Sequence, residues 1–141
     1  MKAIVIRQYG APEVLRYEEV PDPEPKPGEV LLKVRVAGFN YADVMMRVGL
    51  YKGGPKPPYI PGFEVCGTAV RLGHGVTGVQ EGARVLAFPD PSATAGGYAH
   101  LVAISAQRLF PAPASFSDQA AAAHALVSDR KNYGKVILLP E

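Results

Sequence analysis

Apolar residues in this chain fall in short runs, some strictly alternating and some continuous, broken every few positions by proline or glycine. Between positions 30 and 36, Val30, Leu32, Val34 and Val36 alternate with Leu31, Lys33 and Arg35. That period of two predicts a strand with one buried and one partly wet face. The same reading predicts strands over 2–8, 14–20, 30–39, 64–72, 83–88, 98–104, 108–110 and 136–139. Short strands at this density, with 14 prolines and 15 glycines between them, predict an all-β barrel or sandwich. The stretch PDPEPKPGE reads as a proline-stiffened surface connection, too short to link two domains.

Two helices interrupt the pattern. In NYADVMMRVG, Asn40 suits an N-cap, Asp43 puts an acid where the helix N-terminus favours one, and Gly49 suits the left-handed residue that ends a helix. Val44, Met45 and Val48 are then expected on the core face. The second helix is expected from a cap at Ser117, through the alanine run, to a stop at Gly134 before KVILL.

Composition narrows the function classes. A chain of 141 residues with 48% hydrophobic content is the size of one domain with a real core. Fifteen basic against thirteen acidic residues, scattered along the chain, argue against nucleic acid or anionic membrane as partner. The opening MKAIVIRQYG loses its apolar character at Arg7 without a small-residue cleavage site, so the expectation is a soluble cytoplasmic protein. The single cysteine, Cys66, lies in an apolar run and reads as a buried, inert thiol.

Motifs for chemistry are sparse. GHGVTG places glycines at 73, 75 and 78 in the G-x-G-x-x-G spacing after a strand. The dinucleotide fingerprint needs a helix N-terminus next, and VQEGARVLAF reads as another strand, so a glycine-rich hairpin-type turn is expected. His74, His100 and His124 are far apart and form no H-x-x-x-H pair.

Taken in order, MKAIVIRQYGAPEVLRYEEVPDPEPKPGEVLLKV, GFNYADVMMRVGLY, PPYIPGFEVCGTAV, EGARVLAF and GGYAHLVAI closely resemble the N-terminal domain of the medium-chain dehydrogenase/reductase superfamily, in its quinone oxidoreductase or zeta-crystallin branch. The resemblance covers positions 1–123 and implies a mainly β fold, a GroES-like β-barrel with a few short helices. Zinc-dependent relatives carry a cysteine at the place of Asn40 and a histidine at that of Phe63, so this chain resembles the zinc-free branch and no bound metal is expected. That branch transfers hydride from NADPH to quinones or other activated alkenes. EGARV departs from the family, which usually has an aspartate where Ala83 stands.

The resemblance also makes sense of the C-terminal stretch. In the family, the region like SFSDQAAAA leads into a Rossmann nucleotide-binding domain, and the chain then returns with a helix and a strand. AHALVSDRKNYGKVILLPE, at 123–141, resembles that return segment. The expectation is a single GroES-like domain over 1–141, with a deletion junction within 120–123 and the return helix and strand over 124–141. Either an engineered single-domain form or a natural minimised relative fits this pattern.

By resemblance, Asn40 and Tyr51 face the cleft, hydrogen-bonding the nicotinamide-ribose side or the substrate carbonyl, and Arg47 shapes the mouth. Each also has an ordinary structural reading: a helix cap, a cover for the PPYIPG loop and a solvated helix residue. Two functions stay open. One is a folded substrate-binding domain, catalytically incompetent and binding no NADPH tightly. The other is a weak NADPH:quinone or enone reductase completed by a partner or oligomer. An open cleft with Tyr51 and Tyr59 uncovered further implies some self-association.

Overall fold

Strand β3, Glu29–Phe39, organises the sheet. In the computed structural model, which describes residues 1–115, 117, 118 and 136–138, β3 pairs along one edge with β4, Val65–Leu72. Its other edge is shared: β6, Leu101–Ser105, takes positions 29–33, and β8, Val136–Leu138, takes 37–39. β5, Arg84–Ala87, and β7, Leu109–Pro111, extend the sheet beyond β4, and all pairings are antiparallel. A second, two-stranded sheet joins β1, Lys2–Ile6, to β2, Leu15–Glu19.

Backbone bridges sew the two sheets into a barrel. Ile4 N–H donates to the Tyr98 carbonyl at 2.8 Å, His100 N–H to Lys2 at 3.1 Å, and Val34 N–H to His100 at 2.9 Å. Residues 98–100 therefore leave β1 and join β3, which is why the strand expected from position 98 begins only at Leu101. All eight expected strands are present, each within a few residues of its expected ends.

The apolar core follows the alternation, with one correction. Val30, Leu32 and Val34 pack with Val65, Val85 and Val102 in the main cluster. Val36, expected beside them, packs instead with Cys66 in a separate small cluster. The β3–β4 register slips between Val34 and Val36; such a bulge inserts one residue, so inward positions continue at Ala37. Cys66 is fully buried, as expected, and burial pushes its thiol pKa up.

The first expected helix is α1, Tyr41–Arg47, capped by Asn40 and followed by Gly49 in the left-handed region at φ 79°. Its inner face is Asp43 and Met46, however, and Val48 is 37% exposed. Asp43 turns inward because two backbone N–H groups need its carboxylate. Tyr59, expected to be uncovered, is 2% exposed and packs with Ile6 and Met46. The 73–78 stretch is a turn running into β5, as expected: Gly73 N–H donates to Glu29 O and Gly28 N–H to His74 O. The closing strand pairs within the barrel. The second helix beyond Asp118 and the junction at 120–123 lie outside the described residues.

Candidate functional site

The site begins where β3 ends. Asn40 leaves the strand in extended conformation, φ −120° and ψ 154°, and α1 starts at the next residue. Beside this exit a cleft of about 380 Å³ opens, lined by Asn40, Tyr51, Phe63, Glu64, Phe88 and Arg108 among others. Its size suits a ring-sized ligand. The Tyr51 and Phe63 rings stand 5.7 Å apart and form an aromatic wall. Arg108 is at the rim, paired with Asp90 at 2.7 Å.

Beneath the wall lies a buried polar knot of Asn40, Asp43 and Glu64, exposed by only 8%, 4% and 2%. Asp43 Oδ2 accepts the Asn40 N–H at 2.8 Å, and Oδ1 accepts the Gly62 N–H at 3.1 Å. One carboxylate thus ties the start of α1 to the loop that carries Phe63 and Glu64. Burial pushes its pKa up to about 6, against the pull of hydrogen bonds from Asn40, Tyr98 and Gly62, and the Glu64 carboxylate adds to the rise. Burial likewise raises the Tyr98 hydroxyl, whose O–H donates to Gly38 O at 3.3 Å.

Asn40 Nδ2 donates to Glu64 Oε2 at 3.5 Å. Its Oδ1 has capping-box placement toward the Asp43 N–H, but that N–H donates to the Asn40 main-chain carbonyl at 3.0 Å. Among the described residues, Asn40 Oδ1 is left buried without a hydrogen bond. A buried carbonyl oxygen without a partner is costly, and the donor it is placed toward is the Asp43 N–H at the start of α1.

The structure brings Asn40 and Tyr51 together in one cleft and leaves Arg47 out of it. Arg47 donates through Nη1 to the Gly10 carbonyl and accepts the Gly10 N–H at 3.0 Å, which fixes the segment after β1. Sequence reasoning missed Glu64 and Arg108. Glu64 did leave a signal, since an acid opening the continuous apolar run EVCGTAV has to be buried with partners. Arg108 left none, because only the fold carries the β6–β7 junction to the cleft. Among the described residues, no group of three or more His, Cys, Asp and Glu could hold a metal ion. No described helix is long and apolar enough to cross a membrane.

Residues 26–114 match the model of the alcohol dehydrogenase GroES-like domain. The chain belongs to that family. Within it, the relatives place the chain in the quinone oxidoreductase branch of the medium-chain dehydrogenase/reductase superfamily. The quinone oxidoreductase of Rattus norvegicus is 36% identical over 114 residues, 80% of this chain and 34% of the relative. The synaptic vesicle membrane protein VAT-1 homolog-like of Mus musculus is 36% identical over 123 residues, 86% of this chain and 28% of the relative. The crystal structure of the quinone oxidoreductase from Thermus thermophilus, also solved with NADPH, superposes with a TM-score of 0.72 at 38% identity, over 87% of this chain and 36% of that one. This GroES-like chain therefore spans about a third of the length of the proteins it matches.

Proposed function

We propose that this chain is the substrate-side domain of an NADPH-dependent quinone or enone reductase, zinc-free, and that alone it neither holds NADPH nor turns over. The observation that carries the reading is the cleft walled by Tyr51 and Phe63 and lined by Asn40, in a chain whose relatives include quinone oxidoreductases. Tyr51 and Phe63 offer a flat apolar surface to a ring, and Asn40 offers it a polar anchor. NADPH, when bound, supplies the hydride.

The residues fit the nicotinamide end of that cofactor and not its pyrophosphate. Gly73, Gly75 and Gly78 lead into β5 and present no helix N-terminus. In this reading the two ends of the domain join within 120–123, where the family resemblance implies a nucleotide-binding domain. Matches covering 80–86% of this chain but 28–34% of the relatives leave room for a further domain in those relatives.

A few net hydrogen bonds at ~0.5–1.5 kcal/mol each do not offset the freedom lost on association, so NADPH affinity is expected to be millimolar or weaker, about −4 kcal/mol at best. Calorimetric titration together with quinone-dependent NADPH oxidation tests this. A micromolar site, or turnover abolished by Tyr51→Phe, would instead establish a complete enzyme. Tyr41, 67% exposed on the cleft wall, is expected to favour weak self-association; sedimentation of a strict monomer at high concentration counts against it.

A further inference from the structure

Charge is unevenly placed around the cleft. Most of the lining is aromatic, proline or alanine, and Glu64 is buried. Among the described lining residues, Arg108 is the one charged side chain open to solvent, 41% exposed. It is held from two directions. Its main-chain carbonyl accepts the Phe88 N–H at 3.2 Å, and its Nη2 donates to Asp90 Oδ2 at 2.7 Å. Phe88, Pro89 and Pro91 all line the cleft, so the carboxylate that draws the guanidinium over belongs to the same wall. Ser92 steadies that carboxylate in turn, its N–H and Oγ–H donating to Asp90 Oδ1 at 2.9 and 2.7 Å. Asp90 itself does not line the cleft.

A guanidinium carries five N–H donors in a flat fork and can meet a carboxylate on more than one edge. Among the described residues, Asp90 takes Nη2 and no acceptor takes the other side-chain N–H groups of Arg108. A carboxylate carried by a ligand therefore meets charged donors at the rim while its ring lies against Tyr51 and Phe63. Aromatic walls on one side keep water away and strengthen that attraction. We propose that Arg108 is a specificity-determining residue, and that the cleft takes a flat ring bearing a carboxylate in preference to the same ring uncharged. This rests on the reading of the cleft as the ring site. For a reductase it names the substrate class: an acidic quinone or enone, not a purely lipophilic one.

Two unreactive probes separate charge from shape. 2-Naphthoate and 2-naphthamide share a two-ring skeleton, and only the first is an anion at neutral pH. Each is titrated by NMR into the ¹⁵N-labelled chain, read at Tyr51, Phe63 and Phe88 and at the Arg108 Nε–H. The expected result is about five- to tenfold tighter binding of naphthoate, shrinking as salt is raised. In Arg108→Gln that preference should vanish while naphthamide binds within about twofold of its wild-type affinity. An Arg108 that merely supports the fold would weaken both ligands alike. Arg7→Gln removes an equal charge from a residue off the cleft and should keep the preference. A shift of the Arg108 Nε–H with naphthoate and not with naphthamide locates the contact in the wild-type chain even if Arg108→Gln does not fold.

Equal affinities for the two ligands overturn the acidic substrate class while leaving the cleft as the ring site. A preference retained in folded Arg108→Gln, or lost in Arg7→Gln, overturns Arg108 as its source. No response to either ligand at Tyr51, Phe63 and Phe88 overturns the ring-site reading and this proposal with it.

Discussion

The barrel interior and the exit of β3 are about equally buried, yet burial acts on them in opposite ways. Leu32, Val65 and Val102 are at most 1% exposed, and each stabilises the fold simply by leaving water. Asn40, Asp43 and Glu64 are at most 8% exposed, and each costs free energy except where a partner meets it. Among the described residues, Asp43 is met by the Asn40 and Gly62 N–H groups and by the Tyr98 hydroxyl, and the Asn40 side chain is met on one side only. A domain selected for stability alone would fill this corner with aliphatic side chains. A polar knot beneath a cleft, with one acceptor left over, is the arrangement expected of a site.

The most severe way to break the comparison is to hollow the apolar side. Leu32→Ala should cost about 2–5 kcal/mol, a large part of the ~5–15 kcal/mol stability of an ordinary domain. Urea denaturation measures it. A loss below 1 kcal/mol would mean that the strand-pairing core is not what holds the barrel.

On the polar side the corresponding lever is pH. The folded pKa of Asp43, about 6, lies above its ordinary 3.8, so the native state binds the proton more tightly than the unfolded chain does. Stability from this group is full below about pH 4 and is lost as pH rises to about 6, by roughly 3 kcal/mol. Asp118 works in a different window. Despite a desolvation cost, Arg84 and Arg35 hold its carboxyl below the ordinary range, so its contribution is lost only as pH falls below about 4. Chemical denaturation from pH 4 to 7 should therefore show declining stability, and Asp43→Asn should flatten it. An unchanged slope in that variant would remove Asp43 as the cause.

A third substitution tests the tie between the two regions. Gly62 has φ 107°, and a Cβ there would meet the Tyr98 ring at 2.6 Å and the Tyr98 nitrogen at 2.8 Å. Gly62→Ala should destabilise by about 1–3 kcal/mol through backbone strain and the crowded contact. It should also shift the NMR signals of Asn40 and Phe63, because the Gly62 N–H anchors Asp43. Loss of stability without those shifts would uncouple the loop from the cleft. The smallest effect is expected at the surface pair of Arg7 and Glu18, 2.6 Å apart. Glu18→Gln should leave the thermal midpoint unmoved within error, and a clear fall would show that this exposed pair contributes to stability.

Much of the barrel was legible in the sequence because strand period and punctuation are local properties. Val30, Leu32 and Val34 announce their face by spacing alone, and Asn40, Asp43 and Gly49 announce a short helix by capping chemistry. The illegible parts are those in which a distant segment decides. A bulge against β4 sends Val36 to another cluster, and Tyr59 is buried by its pairing with Ile6. Asp43 faces inward because Gly62, nineteen residues on, supplies an N–H to meet it.

The candidate site divides along the same line. Sequence resemblance brought up Asn40 and Tyr51, and the fold places both on one cleft. Arg47 was selected on the same ground, but the fold turned it toward Gly10. Glu64 was visible only as an acid in an apolar run. Its contact with Asn40 is a 3.5 Å approach between residues 24 apart, a distance that no spacing along the chain specifies. Local pattern therefore determined which residues form strands, turns and caps. Tertiary structure decided which buried polar groups find partners, because a partner is a matter of position in space and the low dielectric of the interior makes its presence or absence costly.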